Sequence, residues 1–438
     1  MDEVLDTDYI PELADPYCNK DNPVIVTPGR ILDARDEIKD GVVRTPCTRT
    51  RLSDRIGCNV YFKKEFMQFT GSFKDRGALN SLMNLTEEQR KLGVITTSAG
   101  NHAQSVAYQG GKLGIPVTVV MPKTTPLVKI NSCKDLEANV ILHGDRFDEA
   151  KFRALTLRNE RNLVYIDGFD HPDVLAGQGT AGIEIMEDVP DADYIVVQIG
   201  GGGLISGVSV AAKYINPNVK IIGVESERCP GWHTANEHGR PVKCCRTMNG
   251  ATQSIADGLN VLRVGYNSFA TAQIDKLISV PEKYITTAIL HLLEGEKSVV
   301  EGAGAIGYAA LLSDKLPEVK GKKVVCILSG GNIDANILTH VIDRALVQEG
   351  RLSRFLVAVT DRPGGLARLT DMLSDLGASI KDIGHDRMSL PSHVYMAAIT
   401  CTIETRNKGH AKLVREQLEQ FYKNDLKWQQ FHDDNALH

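Results

Sequence analysis

The sequence predicts an α/β fold followed by a smaller α+β domain. From about Val60 to Leu346, short β-rich runs alternate with helix-length amphipathic segments, which is the pattern of a parallel sheet wrapped by helices. Several runs are apolar throughout, as expected of strands that are covered on both faces. Beyond residue 350 the order becomes strand, helix, strand, strand, helix, which is typical of a mostly antiparallel, ferredoxin-like sheet.

The elements of the first part follow from composition and periodicity. The predicted strands are Val94–Thr97, Val117–Met121, Val140–Leu142, Tyr194–Ile199, Ile221–Val224, Leu277–Val280 and Val324–Leu328. The predicted helices are Ala78–Leu85, Gly100–Lys112, Pro126–Ser132, Thr180–Glu187, Leu204–Tyr214, Glu282–Leu293 and a last one from Ile333 to about Leu346.

The C-terminal domain begins after a boundary that we place near residue 350. Its predicted elements are Phe355–Thr360, helix Gly365–Leu376, strands Ser379–Asp386 and His393–Ile403, and helix Lys408–Phe421. We therefore predict an acidic extension over residues 1–22, a main domain over 23–346 and a C-terminal domain over 352–438. A smaller subdomain, at about 90–168, is expected to be inserted in the main domain.

Composition excludes several classes of function. The chain has 438 residues and a formal net charge of only -5, without a long run of one sign, which argues against a nucleic-acid or polybasic membrane surface. No apolar stretch reaches the roughly 18 residues of a membrane span, and the acidic N-terminus lacks the features of a signal peptide. The nine cysteines include no CxxC pair, so we expect reduced thiols in a cytoplasmic protein.

A lysine between small residues is the first candidate for chemistry. Lys74 lies in the run Gly71–Ala78, just before a predicted helix. A partly desolvated lysine at a helix start can condense with an aldehyde. A surface lysine in a capping turn remains an equal alternative on these eight residues.

A run of four glycines forms the second candidate. It follows the strand Tyr194–Ile199 and opens the helix Leu204–Tyr214, so its amides and the helix dipole can bind a phosphate. The competing interpretation is a dinucleotide site, and Glu225 does follow the next strand as that motif requires. However, Ile205 and Ser206 stand where its third glycine should be, so a monophosphate fits better.

Two more strand ends carry polar groups. Thr97–His102 leads from a strand into a helix, where amides can bind a carboxylate and Asn101 can bind a ring hydroxyl; a plain helix cap at Ser98 is the alternative. Ser329 follows the strand Val324–Leu328. Because parallel strands end at one edge of a sheet, these groups are expected to face one another.

Together these motifs resemble the fold-type-II pyridoxal-phosphate enzymes, whose fold is tryptophan synthase β-like with two open α/β domains. Within them the chain is most similar to the threonine/serine dehydratase family, close to serine racemase. The resemblance runs from about Ile31 to Leu346. It rests on Glu65, Gln68, S-F-K-D-R-G-A, S-A-G-N-H, A-G-Q-G-T (Ala176–Thr180), G-G-G-G-L, A-D-G (Ala256–Gly258), V-E-G-A-G-A (Val300–Ala305) and S-G-G-N.

The resemblance implies a role for individual residues. Lys74 would be the Schiff-base lysine of pyridoxal 5'-phosphate, with Phe73 beside the ring, Asn101 at the 3'-hydroxyl and Ser329 at the pyridine nitrogen. The phosphate would be bound by Gly200, Gly201, Gly202, Gly203 and Leu204. The substrate carboxylate would be bound by Ser98, Gly100, Asn101 and His102, with Gly258 and Glu301 lining the cleft.

The implied reaction is α,β-elimination of water, followed by hydrolysis of the released product. Lys74 would take the α-proton of L-threonine or L-serine and the β-hydroxyl would leave as water; the released aminocrotonate or aminoacrylate then reacts with water to give ammonia with 2-oxobutanoate or pyruvate. The neutral hydroxyl of Ser329 does not enforce a pyridinium, which favours prompt loss of a β-leaving group. Serine racemase is the alternative, but the related racemases carry a serine where this chain has Ala99. Cysteine synthases, whose loop reads T-S-G-N-T, rank third.

Two further sites are left open. The related racemases bind a divalent cation at a carboxylate that matches Glu225, but Gly231 stands where a second acid is expected. The turn Asp361–Leu366 resembles the ligand loop of ACT domains, which implies an amino-acid effector near Asp361, Gly364 and Leu366; an ordinary Pro-Gly turn is the alternative. A homodimer or homotetramer is expected, and the preference between threonine and serine stays undecided.

Overall fold

The chain divides into two compact units, one that ends at Ile333 and one that begins at Asp334. The structure is a computed structural model that describes residues 13–244, 254–388 and 394–429. The first unit contains two largely parallel sheets with helices around them, and the second contains an antiparallel sheet.

The first unit has a six-stranded and a four-stranded sheet. Its strands are β1 (Cys47–Arg49), β2 (Asn59–Lys63), β3 (Val94–Thr97), β4 (Val117–Met121), β5 (Asn139–Leu142), β6 (Val164–Tyr165), β7 (Tyr194–Gln198), β8 (Lys220–Ser226), β9 (Lys276–Val280) and β10 (Lys323–Ile327). The larger sheet has the order β1-β2-β10-β7-β8-β9, and only β1 pairs antiparallel. The smaller sheet, β5-β4-β3-β6, is parallel throughout.

Helices connect these strands, as parallel pairing requires. They are α1 (Pro28–Ile38), α2 (Ser53–Ile56), α3 (Lys74–Met83), α4 (Glu87–Leu92), α5 (Asn101–Leu113), α6 (Leu127–Asp135), α7 (Phe147–Arg161), α8 (Pro172–Asp188), α9 (Gly203–Ile215), α10 (Gly231–His238), α11 (Tyr266–Thr271), α12 (Glu282–His291) and α13 (Gly302–Leu312). Separate apolar clusters lie against the larger and the smaller sheet.

The close contact between α8 and α9 positions the glycine loop. A Cβ on Gly207 would lie 2.3 Å from the Leu175 carbonyl oxygen and 2.5 Å from the Gly179 amide nitrogen. Only a residue without a side chain lets the two backbones approach this far. A Cβ on Gly179, in the A-G-Q-G-T run, would lie 3.0 Å from the Gly207 carbonyl oxygen, so both glycines serve helix packing.

The second unit has the strand and helix order of a ferredoxin-like fold. It contains α14 (Ala335–Gln348), β11 (Leu352–Thr360), α15 (Gly365–Asp375), β12 (Ser379–Asp386), β13 (Met396–Glu404), α16 (Lys408–Tyr422) and β14 (Leu426–Trp428). The antiparallel sheet has the order β12-β13-β11-β14. Phe355, Leu369, Ile399 and Val414 belong to its apolar core.

Several boundaries differ from those expected. Helix α3 begins at Lys74 and not at Ala78, because Asp75 in its first turn accepts the Thr70 amide and supports the helix start. Helix α8 begins at Pro172, well before Thr180; its glycines lower helix propensity, and tertiary packing overrides that preference. Strand β14 was not foreseen, and β13 begins at Met396, whereas His393 lies outside the described residues.

The helix expected to close the main domain belongs to the second unit. Helix α14 packs on β11, so the division at residue 333 precedes the boundary placed near 350. No helix in the described ranges has the length and apolar character needed to cross a membrane. The eight described cysteines are free thiols, and Cys245 lies outside the described residues.

Candidate active site

Lys74 and Ser329 are brought together by two adjacent backbone segments. The loop before α3 pairs with the chain after β10 through a bridge between Ser72 and Gly330. The Phe73 amide also donates to the Ser329 carbonyl oxygen at 3.0 Å. Ser329 is buried, and its hydroxyl has no hydrogen-bond partner within the described ranges. A buried hydroxyl that lacks a protein partner is free to serve a ligand.

The amine of Lys74 lies in a largely desolvated setting. Its Nζ donates to the Gly168 carbonyl oxygen and lies 5.2 Å from the centre of the Phe73 ring. Desolvation lowers the pKa of Lys74 to about 8, while the carboxyl groups of Asp167 and Glu301 oppose that shift. A useful fraction of this amine is therefore neutral near neutral pH, as a nucleophile or general base requires.

The segment Gly168–Phe169 joins Lys74 to the glycine loop. Gly168 accepts the hydrogen bond from Lys74, and Phe169 packs directly under the loop. A Cβ on Gly201 would lie 2.1 Å from the Phe169 ring, and one on Gly203 would lie 2.7 Å from the Phe169 carbonyl oxygen. The amine and the glycine loop therefore lie close to the same short segment.

The glycine loop presents free amides at the start of α9. Gly202 is the N-cap of this helix and has φ +103°, a conformation that favours glycine. Among the described residues, no acceptor binds the amides of Gly200, Gly201 and Gly202, and those of Gly203 and Leu204 begin the helix without intrahelical partners. Such a set of donors binds an anion. Gly258 lies beside it, with its carbonyl oxygen 3.3 Å from the Cβ position of Gly200.

The start of α5 provides a second set of amides. Gly100 is the N-cap of α5, and its amide donates to the Ser98 hydroxyl at 3.2 Å. A Cβ on Gly100 would meet no described atom within 4 Å, so the helix start faces open space. Ala99 and Asn101 flank this opening and are half-buried.

The ring of His102 points away from that opening. It is buried, and its Nε2 lies 3.2 Å from the Ile166 carbonyl oxygen. Desolvation, with the nearby charge of Lys74, lowers the pKa of His102 to about 4. The imidazole is therefore neutral at neutral pH, and His102 offers a carboxylate its backbone amide and no cationic ring.

Asn101 is held by residues of two other segments. Its Nδ2 donates to Glu301 Oε1 at 2.7 Å, and its Oδ1 accepts from Asn332 Nδ2 at 2.9 Å. Desolvation and the charge of Asp257 raise the pKa of Glu301 to about 7, and the hydrogen bond from Asn101 opposes this. The amide of Asn101 is thus fixed in one orientation, and Glu301 holds it in place.

Glu225 lies outside this group and is fully engaged by protein donors. Its carboxylate accepts hydrogen bonds from the backbone amides of Trp232 at 2.9 Å and His233 at 3.3 Å, and the His233 ring also contacts it. The hydrogen bond with Glu225 raises the pKa of His233. Across the described ranges, no three His, Cys, Asp or Glu side chains are grouped so that they could hold a metal ion.

The expected effector loop lies in the second unit. Asp361 accepts a hydrogen bond from Arg387 Nε at 2.8 Å, which lowers the pKa of that carboxyl. Gly364 has φ +97° and is the N-cap of α15, and Leu366 is exposed at the start of that helix.

Some contributors were not foreseen from the sequence. Asp167 and Gly168 follow β6, a strand of two residues, and act on Lys74 through charge and a hydrogen bond. The signal that could have revealed them is the short D-G-F-D run after Val164–Tyr165. The orienting contact of Asn332 with Asn101 depends on a long-range approach that no local pattern specifies.

Comparison with known proteins agrees with this geometry. The family profile described as "Pyridoxal-phosphate dependent enzyme" matches residues 38–330. An L-threonine ammonia-lyase of Thermotoga maritima is 43% identical over 397 residues, which cover 90% of this chain and 97% of that protein.

Solved structures show the same fold over the first unit. The processed form of threonine deaminase isoform 2 from Solanum lycopersicum superposes with a TM-score of 0.67 at 35% identity, covering 76% of this chain and 98% of that one. Serine racemase from Dictyostelium discoideum gives a TM-score of 0.66 at 34% identity, covering 70% and 99%.

Proposed function

The chain belongs to the family of pyridoxal-phosphate-dependent enzymes, and we propose that it converts L-threonine to 2-oxobutanoate and ammonia, with L-serine to pyruvate and ammonia as the parallel reaction. The observation that carries this proposal is Lys74, whose weakly basic amine contacts the same short segment as the glycine loop. The 43% identity to an L-threonine ammonia-lyase across nearly the whole chain supports the substrate.

The donors at this site fit pyridoxal phosphate. The amides of Gly200 to Leu204 would hold its phosphate and the Ser329 hydroxyl its pyridine nitrogen. Asn101, whose Nδ2 has a second hydrogen besides the one given to Glu301, would hold its 3'-hydroxyl. Phe73 would lie beside the ring, and Lys74 would carry its aldehyde carbon. When bound, this cofactor supplies an electron-withdrawing ring that allows the Cα–H bond of an attached amino acid to break.

The residues around Lys74 perform the remaining work. The amides at the start of α5, from Gly100 to His102, bind the substrate carboxylate, with the Ser98 hydroxyl beside them. The free amine of Lys74 takes the α-proton as general base, since its lowered pKa lets it accept a proton near neutral pH. Gly258 and Glu301 border the cleft. No step requires a cation at Glu225, so we assign it no metal.

Racemisation needs a second proton carrier on the opposite face of the substrate. The residue before Gly100 is Ala99, and a methyl group cannot transfer a proton. This supports elimination over serine racemisation. Lys74 would then serve as the single base.

The test uses the full chain loaded with pyridoxal phosphate. We expect 2-oxobutanoate and ammonia from L-threonine, and a Lys74→Ala variant should lose at least about 1,000-fold in rate together with the visible absorbance of the lysine-linked cofactor. Comparing L-threonine, L-serine and D-serine as substrates would establish the preference. A Lys74→Ala variant that kept both activity and absorbance would refute this function.

The second unit supports a regulatory proposal. Its ferredoxin-like strand order and the loop around Asp361, Gly364 and Leu366 are consistent with an ACT-like domain that binds an amino-acid effector or pairs two copies in a homodimer or homotetramer of a cytoplasmic enzyme. Calorimetry of the full chain with L-isoleucine is the test, since L-isoleucine is not a substrate for elimination. Heat that Asp361→Ala abolishes would support an effector site, and no heat would favour a pairing module.

A further inference from the structure

Four charged side chains lie buried beside α3, and we call them the Arg76 cluster. Its members are Lys63, Glu65, Arg76 and Glu184. All four are buried, and Arg76 and Glu65 have no exposed surface. Two positive and two negative side chains make the cluster neutral overall. Arg76 comes only two residues after Lys74 in the same helix.

The guanidinium of Arg76 binds two carboxylates at once. Its Nε and Nη2 donate to Glu65 at 2.8 and 2.7 Å. Its Nη1 and Nη2 donate to Glu184 at 2.7 and 2.8 Å. Nη1 also donates to the Thr180 hydroxyl at 3.1 Å. Two-pronged bonds of this kind restrict orientation as well as distance, and a lysine cannot reproduce them.

The neighbouring residue holds the same helical turn from another side. Asp75 accepts the Thr70 amide at 3.0 Å and also the Thr70 hydroxyl. Successive residues of an α-helix point about 100° apart. Lys74, Asp75 and Arg76 therefore project in three directions, and the second and third are anchored in protein. This leaves the Cα of Lys74 little freedom to move.

Stability alone is a weak explanation for so many buried charges. Replacing a buried ionic group with apolar residues of similar volume is often neutral or stabilising. Helix α3 already packs through Ala78 and Leu82 into the apolar cluster of the smaller sheet. The Arg76 cluster adds what an apolar contact would not, namely a fixed rotation of the first helical turn.

We infer that Arg76 is a positioning residue, which holds the first turn of α3 through Glu65 and Glu184 so that the Lys74 amine reaches the aldehyde carbon of the cofactor and the α-proton of the substrate. This rests on the proposed role of Lys74. Lys63 offers a matched control, because it bonds Glu184 and the Thr45 carbonyl oxygen but has no hydrogen bond or ion pair to α3 within the described ranges. Loss of either cation leaves the cluster with the same net charge.

The experiment compares Arg76→Met, Arg76→Lys and Lys63→Met in the full chain loaded with pyridoxal phosphate. The readouts are kcat and KM for L-threonine, the pH midpoint of the visible absorbance of the lysine-linked cofactor, and the melting temperature. We expect Arg76→Met to lower kcat about 100-fold with little change in KM, the cost of misplacing a reacting group by about 1 Å, and to shift the absorbance midpoint. Arg76→Lys should lower kcat about 10-fold.

The Lys63→Met control should lower the melting temperature while kcat stays within about threefold of the wild type and the absorbance midpoint does not move. Equal losses of kcat in Lys63→Met and Arg76→Met would overturn the inference, because the cluster would then act through charge balance. If Arg76→Met fails to fold, Arg76→Lys decides: wild-type kcat and midpoint in that variant would also overturn it.

The experiment distinguishes a failure of the proposed function from a failure of the positioning role of Arg76. A wild-type chain that shows the visible absorbance but makes no 2-oxobutanoate would refute the threonine reaction, and the response of the absorbance midpoint to Arg76→Lys would still decide the positioning role. A wild-type chain with no visible absorbance would refute both.

Discussion

Two ionisable residues at the cleft have pKa values that depart from ordinary values in ways that matter for chemistry. Lys74 has a pKa lowered to about 8, and Glu301 has one raised to about 7, each mainly because burial disfavours the charged form. Both groups therefore titrate near neutral pH. His102, whose pKa is lowered to about 4, is a weaker base than Lys74.

Glu301 should make stability fall as pH rises. Its pKa is about 7 in the folded chain and near 4.5 when unfolded, so the unfolded state releases this proton first and is stabilised relative to the folded state as pH rises between these values. Relative to wild type, Glu301→Gln should therefore become more stable across that window, by at most about 3 kcal/mol. The free energy of unfolding should be measured by denaturant titration at pH 4.5 to 8, on protein freed of pyridoxal phosphate. A difference that does not vary with pH would contradict the prediction.

Ala99 should control the ratio of elimination to racemisation. Ala99→Ser places a hydroxyl, which can carry a proton, directly before Gly100, and a positioned acid or base contributes about 100-fold or more in rate. We expect at least about 10-fold faster formation of D-serine from L-serine, measured by chiral chromatography. Ala99→Val is the control, since it adds bulk without a proton. Equal D-serine output from both variants would show that the serine hydroxyl is not the missing group.

At the scale of elements, the site is assembled from loops at the carboxyl ends of parallel strands. The chain after β3 forms the start of α5, the chain after β7 forms the glycine loop, and the chain after β10 brings Ser329 to Phe73. Each loop ends in a helix start or a backbone bridge, so the positions of its amides are set by backbone geometry. Substitutions near these loops should therefore affect ligand binding by displacing the backbone amides.

The glycine loop should be sensitive to a single methyl group. A Cβ on Gly202 would lie 2.4 Å from the Trp232 ring and 2.9 Å from the Ser268 side chain, at φ +103°. Gly239 also has a positive φ, but a Cβ there meets nothing within 4 Å. Gly202→Ala should lower the affinity for pyridoxal phosphate at least about 10-fold, whereas Gly239→Ala should cost only about 1 kcal/mol of stability and leave affinity unchanged. Fluorescence titration of the cofactor measures both, and equal affinities would contradict this account of the loop.

At the scale of the whole molecule, the two units differ in fold and in their match to the family profile. The family profile ends at residue 330, and the serine racemase from Dictyostelium discoideum is covered to 99% by only 70% of this chain. The match to that structure leaves about 30% of this chain uncovered. The antiparallel sheet has its own apolar core, as an independently folding unit requires.

Removing the antiparallel sheet should spare catalysis. A chain that ends at Glu349 should bind pyridoxal phosphate and turn over L-threonine within about threefold of the full chain, because no residue of the candidate site lies beyond Asn332. It should lose any response of the rate to L-isoleucine. Steady-state rates with and without L-isoleucine test both statements, and a truncated chain that no longer holds the cofactor would contradict the separation.

Local sequence patterns were sufficient to predict many of the strands and helices of this protein. Apolar β-branched runs identified the central strands, because a strand covered on both faces must be apolar throughout. The glycine run, Lys74 and Ser329 could be proposed as candidates because their chemistry depends on residue type and on position in the chain, beside a strand or helix end. The antiparallel C-terminal sheet followed from the order of its elements, although β14 was too short to be detected.

The tertiary structure decided what depends on approach between distant segments. Helix α8 begins early because it packs on α9 through Gly179 and Gly207. Helix propensity alone disfavours this early start, because glycine is a poor helix former. The lowered pKa of Lys74 results from burial, against the opposing effect of carboxyl groups far along the chain. The buried bonds of Arg76 to Glu65 and Glu184 likewise exist only after folding. By itself the sequence determined which side chains have groups that can react, because reactivity is a property of side chains. Only the fold decided the protonation states and the orientations of these groups, because desolvation and orientation depend on neighbours that are distant in the chain.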